Sequence, residues 1–377
     1  MKKSQIEVQF NWIFVLIVGA ILLTFFVTIA LKQKSTSETI IKSESFDAFN
    51  TILSSISSPE GSATSPVKFS DDIGYYCIIE DPCICQIYSG KRTQPSALLF
   101  TDDLFIFSQE NLKGLYKIVS SKEWTFPFRI ANFIFIISPE IKYFIEDTFF
   151  GQTIFYGMPP ETILEEDAEY KAVDKELFNP NEFSITSGNY KVRFVFTETN
   201  PEDFSIPEEI RGSDTDVSAV YFTTENSADV VKFYKKSKSD PSKFSYSDES
   251  FIFGDATTYA AIFSENKDDY ACMMNNAFKR FMAAAEIMKE KQIIYRSQEQ
   301  FGCSSENTLG LESIQTEVSS SVCCTSYDTH ASSSLLKISI DMFNLQDYDS
   351  YLSVKREISA LNSQNDNAVR NGCPNLY

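Results

Sequence analysis

Trp12–Leu31 reads WIFVLIVGAILLTFFVTIAL, twenty residues with no charge and two threonines. At 1.5 Å of rise per residue, a helix of that length is about 30 Å long, the thickness of a bilayer's hydrocarbon core. Lys2 and Lys3 precede it, Lys32 and Lys34 follow it, and Trp12 stands where an amphipathic ring settles at the membrane surface. A cleaved secretory leader has a shorter apolar region, ~7–15 residues, closed by small residues. This run ends in Leu31-Lys32. The expectation is a short tail over residues 1–11 and a retained single transmembrane helix over 12–31. Ala20, Thr24 and Thr28 fall four apart within it, a spacing that lets a second helix approach closely.

The lysines on the two sides nearly balance, so they do not orient the span. The cysteines do. All eight (Cys77, Cys83, Cys85, Cys272, Cys303, Cys323, Cys324 and Cys373) follow the span, an even number on one side. That pattern suits disulfides in an oxidising space and puts the C-terminal part outside the cell membrane. The start KKSQIEVQFNWIFVLIVGAILL resembles archaeal class III signal segments of type IV pilin-like proteins. It departs from them at Ser4, where Gly or Ala is usual, and at Gln9, where a Glu is usual; the acid here is Glu7. The whole chain, with its ending NGCPNLY, resembles uncharacterised single-pass membrane proteins of small-genome archaea. That resemblance implies placement in a membrane and no particular activity.

Beyond the span the chain has the substance of a folded body. Of 377 residues 43% are hydrophobic and 14% aromatic, with 33 Phe and 18 Tyr, enough to bury a core. Fifty-two acidic against 33 basic residues leave a net charge of −19, which repels phosphate backbones, so no nucleic-acid partner is expected. One histidine, His330, excludes sites that need two imidazoles. Gly-x-Gly never occurs, which removes the dinucleotide fingerprint, and Gly90-Lys91-Arg92 is no Walker loop.

Residues 32–60 read as a helical stalk, with Phe46, Phe49, Leu53 and Ile56 on one stripe that suits docking against the chain's own domain. Strands are expected at 74–80, 85–88, within 97–107, and at 128–138, 141–145, 190–197, 217–223 and 230–234. Short strands at 251–253 and 259–263 would pair around Gly254, and another falls at 335–340. Helices are expected at 111–124, from Pro159-Pro160 through about Phe178, at 202–210, at 269–294 and at 348–362. Strands alternating with helices give an α/β layered fold with a mixed sheet, with α+β as the alternative. The acidic helix near 160–178 divides a first half, 66–178, from a second, 179–377.

Cys77, Cys83 and Cys85 form Cys-x5-Cys-x-Cys across an expected hairpin. Bridges are the expected state; a zinc site would want Cys-x2-Cys spacing and a fourth ligand from Cys303, Cys323 or Cys324. Adjacent Cys323 and Cys324 should serve two partners, Cys303 and either Cys272 or Cys373. Cys272, inside an apolar helix, also suits a reduced core thiol. The acidic pairs Asp71-Asp72, Asp102-Asp103 and Asp268-Asp269, the run Glu165-Glu166-Asp167 and the loop Ser213–Asp216 read as turns, helix starts and solvated faces. No cofactor, metal or catalytic residue is expected. The overall expectation is a non-catalytic, membrane-anchored domain on the outer side that binds a protein or envelope component. A type IV pilin-like subunit is the alternative, and an enzyme using carboxylates and His330 a third.

Overall fold

Neighbouring residues of a strand face opposite sides, and the aromatic alternation of this chain sorts onto two faces of one large sheet. The computed structural model describes residues 20, 22–28, 48–56, 63–69, 72–79, 83–100, 104–165, 168–185, 190–297, 338 and 348–370. The fold is mixed α/β with several sheets. A helix α1 at residues 48–56 buries Phe49, Leu53 and Ile56, with the Phe49 ring edge-on to Phe69 at 5.2 Å. It lies against its own domain.

Two four-stranded sheets follow. The first contains β1 (Thr64–Lys68), β5 (Phe105–Ser108), β7 (Tyr116–Thr125) and β8 (Arg129–Ile137), in the order β1-β7-β8-β5. The second contains β2 (Ile73–Ile78), β3 (Ile84–Lys91), β4 (Gln94–Phe100) and β6 (Asn111–Leu112), in the order β4-β3-β2-β6 and antiparallel throughout.

The third sheet is built from β9 (Ile141–Glu146), β12 (Asp174–Phe178), β13 (Lys191–Phe196), β14 (Asp216–Glu225), β15 (Ala228–Lys236) and β16 (Phe244–Phe251). Its order is β12-β9-β13-β14-β15-β16; the first four strands run parallel, and β15 pairs antiparallel with both β14 and β16. Strands from both sides of residue 178 therefore share it. One face carries Tyr143, Ile145, Val195, Val220 and Phe233 into the main core. The other carries Phe144, Val192, Phe194, Phe196 and Tyr234 into a second cluster. That second cluster is roofed by the loops holding Phe183, Phe204 and Ile206 and by the 3-10 turn Glu208–Ile210.

The helices are α2 (Phe149–Gly157), α3 (Asp255–Phe263), α4 (Lys267–Ser297) and α5 (Tyr348–Arg370). The α4 helix starts on a reciprocal cap: Asp269 N donates to Asn266 Oδ1 at 3.0 Å, and Asn266 Nδ2 donates to Asp269 Oδ2 at 2.9 Å. On its expected core-facing stripe Met274, Phe278, Phe281 and Ala285 are buried and Met288 is half-buried; on the opposite face Lys279, Arg280 and Glu286 are exposed and Lys289 is half-buried. The α5 helix begins at the expected residue and runs on to Arg370, held by stacking of Tyr351 on Phe251 at 4.8 Å.

Several expectations are corrected. Residues 111–124 are not a helix but β6 and β7, parted by Gly114 at φ 97°. Ile118 and Val119 are adjacent and both fully buried, because β7 is covered on both sides and shows no alternation. The segment 160–178 is the hairpin β10 (Thr162–Glu165) and β11 (Ala168–Lys171), followed by β12. On β12, Asp174 and Glu176 stand two apart on one face, where both reach Lys142 at 2.8 and 2.9 Å.

Residues 259–263 belong to helix α3, not to a strand. Every side chain from Ala256 to Phe263 is buried, so no helical stripe is written into the sequence. Three segments that end alike in the sequence, FVFTETN, VYFTTEN and AIFSEN, close two strands and a helix, so their likeness records no common strand-to-loop geometry. Of the expected strand 335–340 only Ile338 is described; it is helical and fully buried. The short helix expected at 202–210 contracts to the 3-10 turn at its end.

The β14–β15 loop is the two-residue turn Asn226-Ser227, both at positive φ (48° and 68°), with Glu225 facing Ala228. A serine held there costs backbone energy that glycine avoids. Ser227→Gly should raise stability by about 1 kcal/mol, read as a higher urea midpoint at unchanged slope.

Candidate functional site

In open sheets of this kind ligands settle where neighbouring parallel strands send their connections to opposite sides. Here β9 leads through α2 to β12 on one flank, while β13 leads to β14 on the other, so the crevice lies at the carboxyl ends of β9 and β13. Glu146 ends β9 and fills that place. Its carboxylate accepts the backbone N–H of Thr197 at 2.7 Å, of Glu198 at 2.8 Å and of Thr199 at 3.1 Å, and the Thr199 hydroxyl at 2.5 Å. Burial pushes the carboxyl up, but these donors prevail and hold it below the usual carboxylate range. Beside it Thr148 caps α2 by accepting the Gly151 N–H at 3.0 Å. A Cβ on Gly151 would collide with the Glu146 carbonyl, so only glycine fits. The donors that would grip an external oxyanion hold the protein's own side chain.

The amino end of the same strands carries a buried charge cluster. Lys191, 3% exposed, reaches Glu265 at 2.5 Å and Asp216 at 3.1 Å. Burial alone would lower the Lys191 pKa; the charges of Glu265 and Asp216 prevail and raise it. Burial likewise pushes Glu265 up, and the Lys191 charge and hydrogen bond, the Glu110 N–H and Arg193 bring it down. Arg193, 1% exposed, donates to the carbonyls of Ala261 at 3.2 Å and Ser264 at 3.0 Å, which end helix α3. A guanidinium suits those unpaired carbonyls at the negative end of the helix dipole. Burial lowers its pKa.

Asp269 lies beyond this cluster. Burial, then the charges of Glu265, Glu110 and Asp268, push its carboxyl up to about 7. A proton near neutrality is the property of a general acid, yet Asp269 lines neither of the two cavities described here. One cavity, about 310 Å³, opens beside Lys191 between Asp72, Tyr88, Lys113, Tyr190 and Asp214. The other, about 470 Å³, lies between β16, α4 and the start of α5, with Phe251, Phe253, Met274 and Phe278 as walls. At its mouth Asp248 pairs with Lys267 at 3.2 Å and Tyr348 donates to Glu249 at 3.2 Å.

The cysteines gather at the second sheet. Cys77 and Cys85 are directly opposed on β2 and β3 and form one disulfide; Cys83, just before β3, is bridged to Cys272 on α4. Asn276, one turn along α4, donates to the Cys83 carbonyl at 3.0 Å. Cys272 thus closes a bridge across 189 positions and is neither a free core thiol nor a partner of Cys323 or Cys324. Cys303, Cys323, Cys324, Cys373 and His330 lie outside the described residues, as do Asp71, Asp102, Asp103, Glu166 and Asp167. Glu165 ends β10 instead of opening a helix. Of the three small residues in the N-terminal run, Thr24 donates to the Ala20 carbonyl at 2.8 Å and Thr28 to the Thr24 carbonyl at 2.7 Å. No helix among the described residues is long and apolar enough to cross a membrane; most of residues 12–31 are outside them.

Sequence reasoning missed Glu146, Lys191, Arg193 and Glu265. Two signals were present. YKVRFVF sets Lys191 and Arg193 two apart inside an otherwise apolar strand, which buries two cations on one face. IKYFIE ends a buried strand on an acid. Compared with known protein families, curated proteins and solved structures, the chain matches none.

Proposed function

We propose that this chain is a membrane-tethered, non-catalytic binding domain held in an oxidising space outside the cell membrane, where it recognises a protein or envelope component. The observation that carries the reading is Glu146: the crevice where such a sheet would take a ligand is satisfied by the chain's own carboxylate. The cations nearest the amino end are likewise neutralised from within, by Glu265, Asp216 and helix carbonyls. Two bridges, one closing 189 positions, suit a domain that works among oxidants.

The tether rests on the apolar run and on its exposed surface. Leu22, Leu23, Phe25, Phe26 and Val27 are helical and about half or more exposed, a surface that water disfavours and acyl chains accept. Thr24 and Thr28 turn their hydroxyls onto the preceding helical turn, as a helix in lipid requires. The test is fractionation of cells that make the full chain. After an alkaline carbonate wash the chain should stay with the membranes, and protease added to intact spheroplasts should digest its large domain. Non-reducing peptide mapping should recover the Cys77–Cys85 and Cys83–Cys272 links. Release of intact chain by carbonate, or a domain shielded from outside protease, overturns the proposal.

A further inference from the structure

The two bridges are not separate staples. Cys85 Sγ lies 3.4 Å from Cys272 Sγ, across the gap between one disulfide and the other. The sulfurs of Cys77, Cys85 and Cys272 all lie within 4.8 Å of one another, and Cys83 is bonded to the last of them. Four sulfurs from three chain segments therefore share one small, buried volume. Cys77, Cys85 and Cys272 are 9%, 0% and 2% exposed, and Cys83 stands at the rim.

The geometry points to a redox-gated zinc site: with both bridges reduced, Cys77, Cys83, Cys85 and Cys272 bind one Zn2+ as a tetrathiolate. A tetrahedral zinc with Zn–S near 2.3 Å sets its sulfurs about 3.8 Å apart. The cluster already has that scale, so binding asks for small side-chain rotations once the S–S bonds open. The backbone supports the set. Cys83 and Cys85, two apart, share a face where the chain enters β3, and Cys77 is opposite Cys85 in register. The fourth ligand comes from α4, which packs on this hairpin and is pinned by the Asn276 bond to the Cys83 carbonyl.

Attack of a freed Cys272 thiolate on the Cys77–Cys85 bridge fits less well. A thiolate attacks in line with the bond it breaks. Cys272 at 3.4 Å from Cys85, with a bond of about 2.05 Å behind it, would then stand some 5.4 Å from Cys77. The sulfurs are closer than that, gathered around a point and not strung along a line. The chemistry balances simply. Each disulfide takes two electrons from a dithiol, which leaves as its own disulfide. The four thiols then give up their protons to the solvent as Zn2+ binds. The site is independent of the binding role proposed above. It gives the domain a metal-bound form in a reducing compartment and a bridged form outside.

The test uses the natural full-length chain in detergent, reduced with a phosphine under nitrogen and titrated first with Co2+, then with Zn2+. The expected result is sulfur-to-cobalt charge transfer, with the intense visible bands of tetrahedral cobalt, saturating at one equivalent and erased by Zn2+. The unreduced chain should show neither. Cys83→Ser/Cys272→Ser should abolish the signal. The variant with Cys303, Cys323, Cys324 and Cys373 all replaced by Ser should keep it. The proposal is overturned if the reduced natural chain gives only the weak bands of six-coordinate cobalt. It is overturned equally if the signal survives Cys83→Ser/Cys272→Ser and disappears in the four-serine variant. The natural chain alone decides the first point, whatever the variants do to folding.

Discussion

Glu265→Ala should lower the unfolding free energy by about 3–5 kcal/mol near neutral pH, measured by urea titration. The physical reason is what remains. Lys191 Nζ, on a side chain 3% exposed, keeps only Asp216, which is itself more than half exposed. Arg193 keeps its carbonyl partners but loses the nearest balancing charge. An uncompensated buried cation is among the costliest defects a core can carry, whereas removing both partners is often close to neutral. The double variant Lys191→Met/Glu265→Leu should therefore be more stable than Glu265→Ala, and by more than 1 kcal/mol. If the single and double variants are equally damaged, the loss comes from packing and the ion pair does not carry it.

The pH dependence has a definite sign. The Glu265 carboxyl sits below its ordinary range in the folded chain, so its contribution is whole above the unfolded value of about 4.3 and is lost as pH falls through the folded one. Lys191 sits above its ordinary range, so its contribution is whole below about 10.4 and is lost as pH rises through the folded value. The contribution of this pair should be flat between these limits and fall at both. Asp269, raised to about 7 by burial, adds a separate decline in stability as pH rises from about 4 to about 7. Glu265→Gln should make the acid limb shallower, leaving the part that Glu146 contributes.

How far this architecture could be read beforehand depended on how many faces each element buries. Helix α4 and strand β13 were legible because their patterns are one-sided or plainly strand-like. Strand β7 and helix α3 were not. Both are covered all round, so Ile118-Val119 and Ala256–Phe263 carry no period at all. On β12 the misleading feature was charge: Asp174 and Glu176 look like an acidic helix until Lys142 on the neighbouring strand supplies their partner. The site divides in the same way. Cys77, Cys83 and Cys85 announce themselves by lying in one hairpin. Nothing local ties Cys272 to them, since its partner is 189 positions away. Glu146 was unreadable for a further reason: its donors are backbone N–H groups, which every sequence has.

That last residue yields the sharpest expectation about function. Glu146→Ala should cost about 3–5 kcal/mol, because a buried charged acceptor leaves three N–H groups and the Thr199 hydroxyl unpaired. The defect is also a vacancy of known shape, a cradle that once held a carboxylate at the splayed ends of β9 and β13. A small carboxylate should re-enter it. Acetate at ten times its dissociation constant should restore about 1.4 kcal/mol to Glu146→Ala, with chloride at equal ionic strength restoring nothing. The natural chain should be indifferent to acetate, since its own side chain outcompetes any solute. In that chain the folded pKa of Glu146 lies below the ordinary carboxylate value. Its contribution is therefore complete above about pH 4.3 and disappears as pH falls through the folded value, a limb that Glu146→Ala should lack. If acetate or sulfate stabilised the natural chain as well, the cradle would be open to ligands and the non-catalytic reading of this sheet would fall. If acetate rescues only the variant, the place where related architectures hold a substrate is here a structural joint, closed from inside by the strand that forms it.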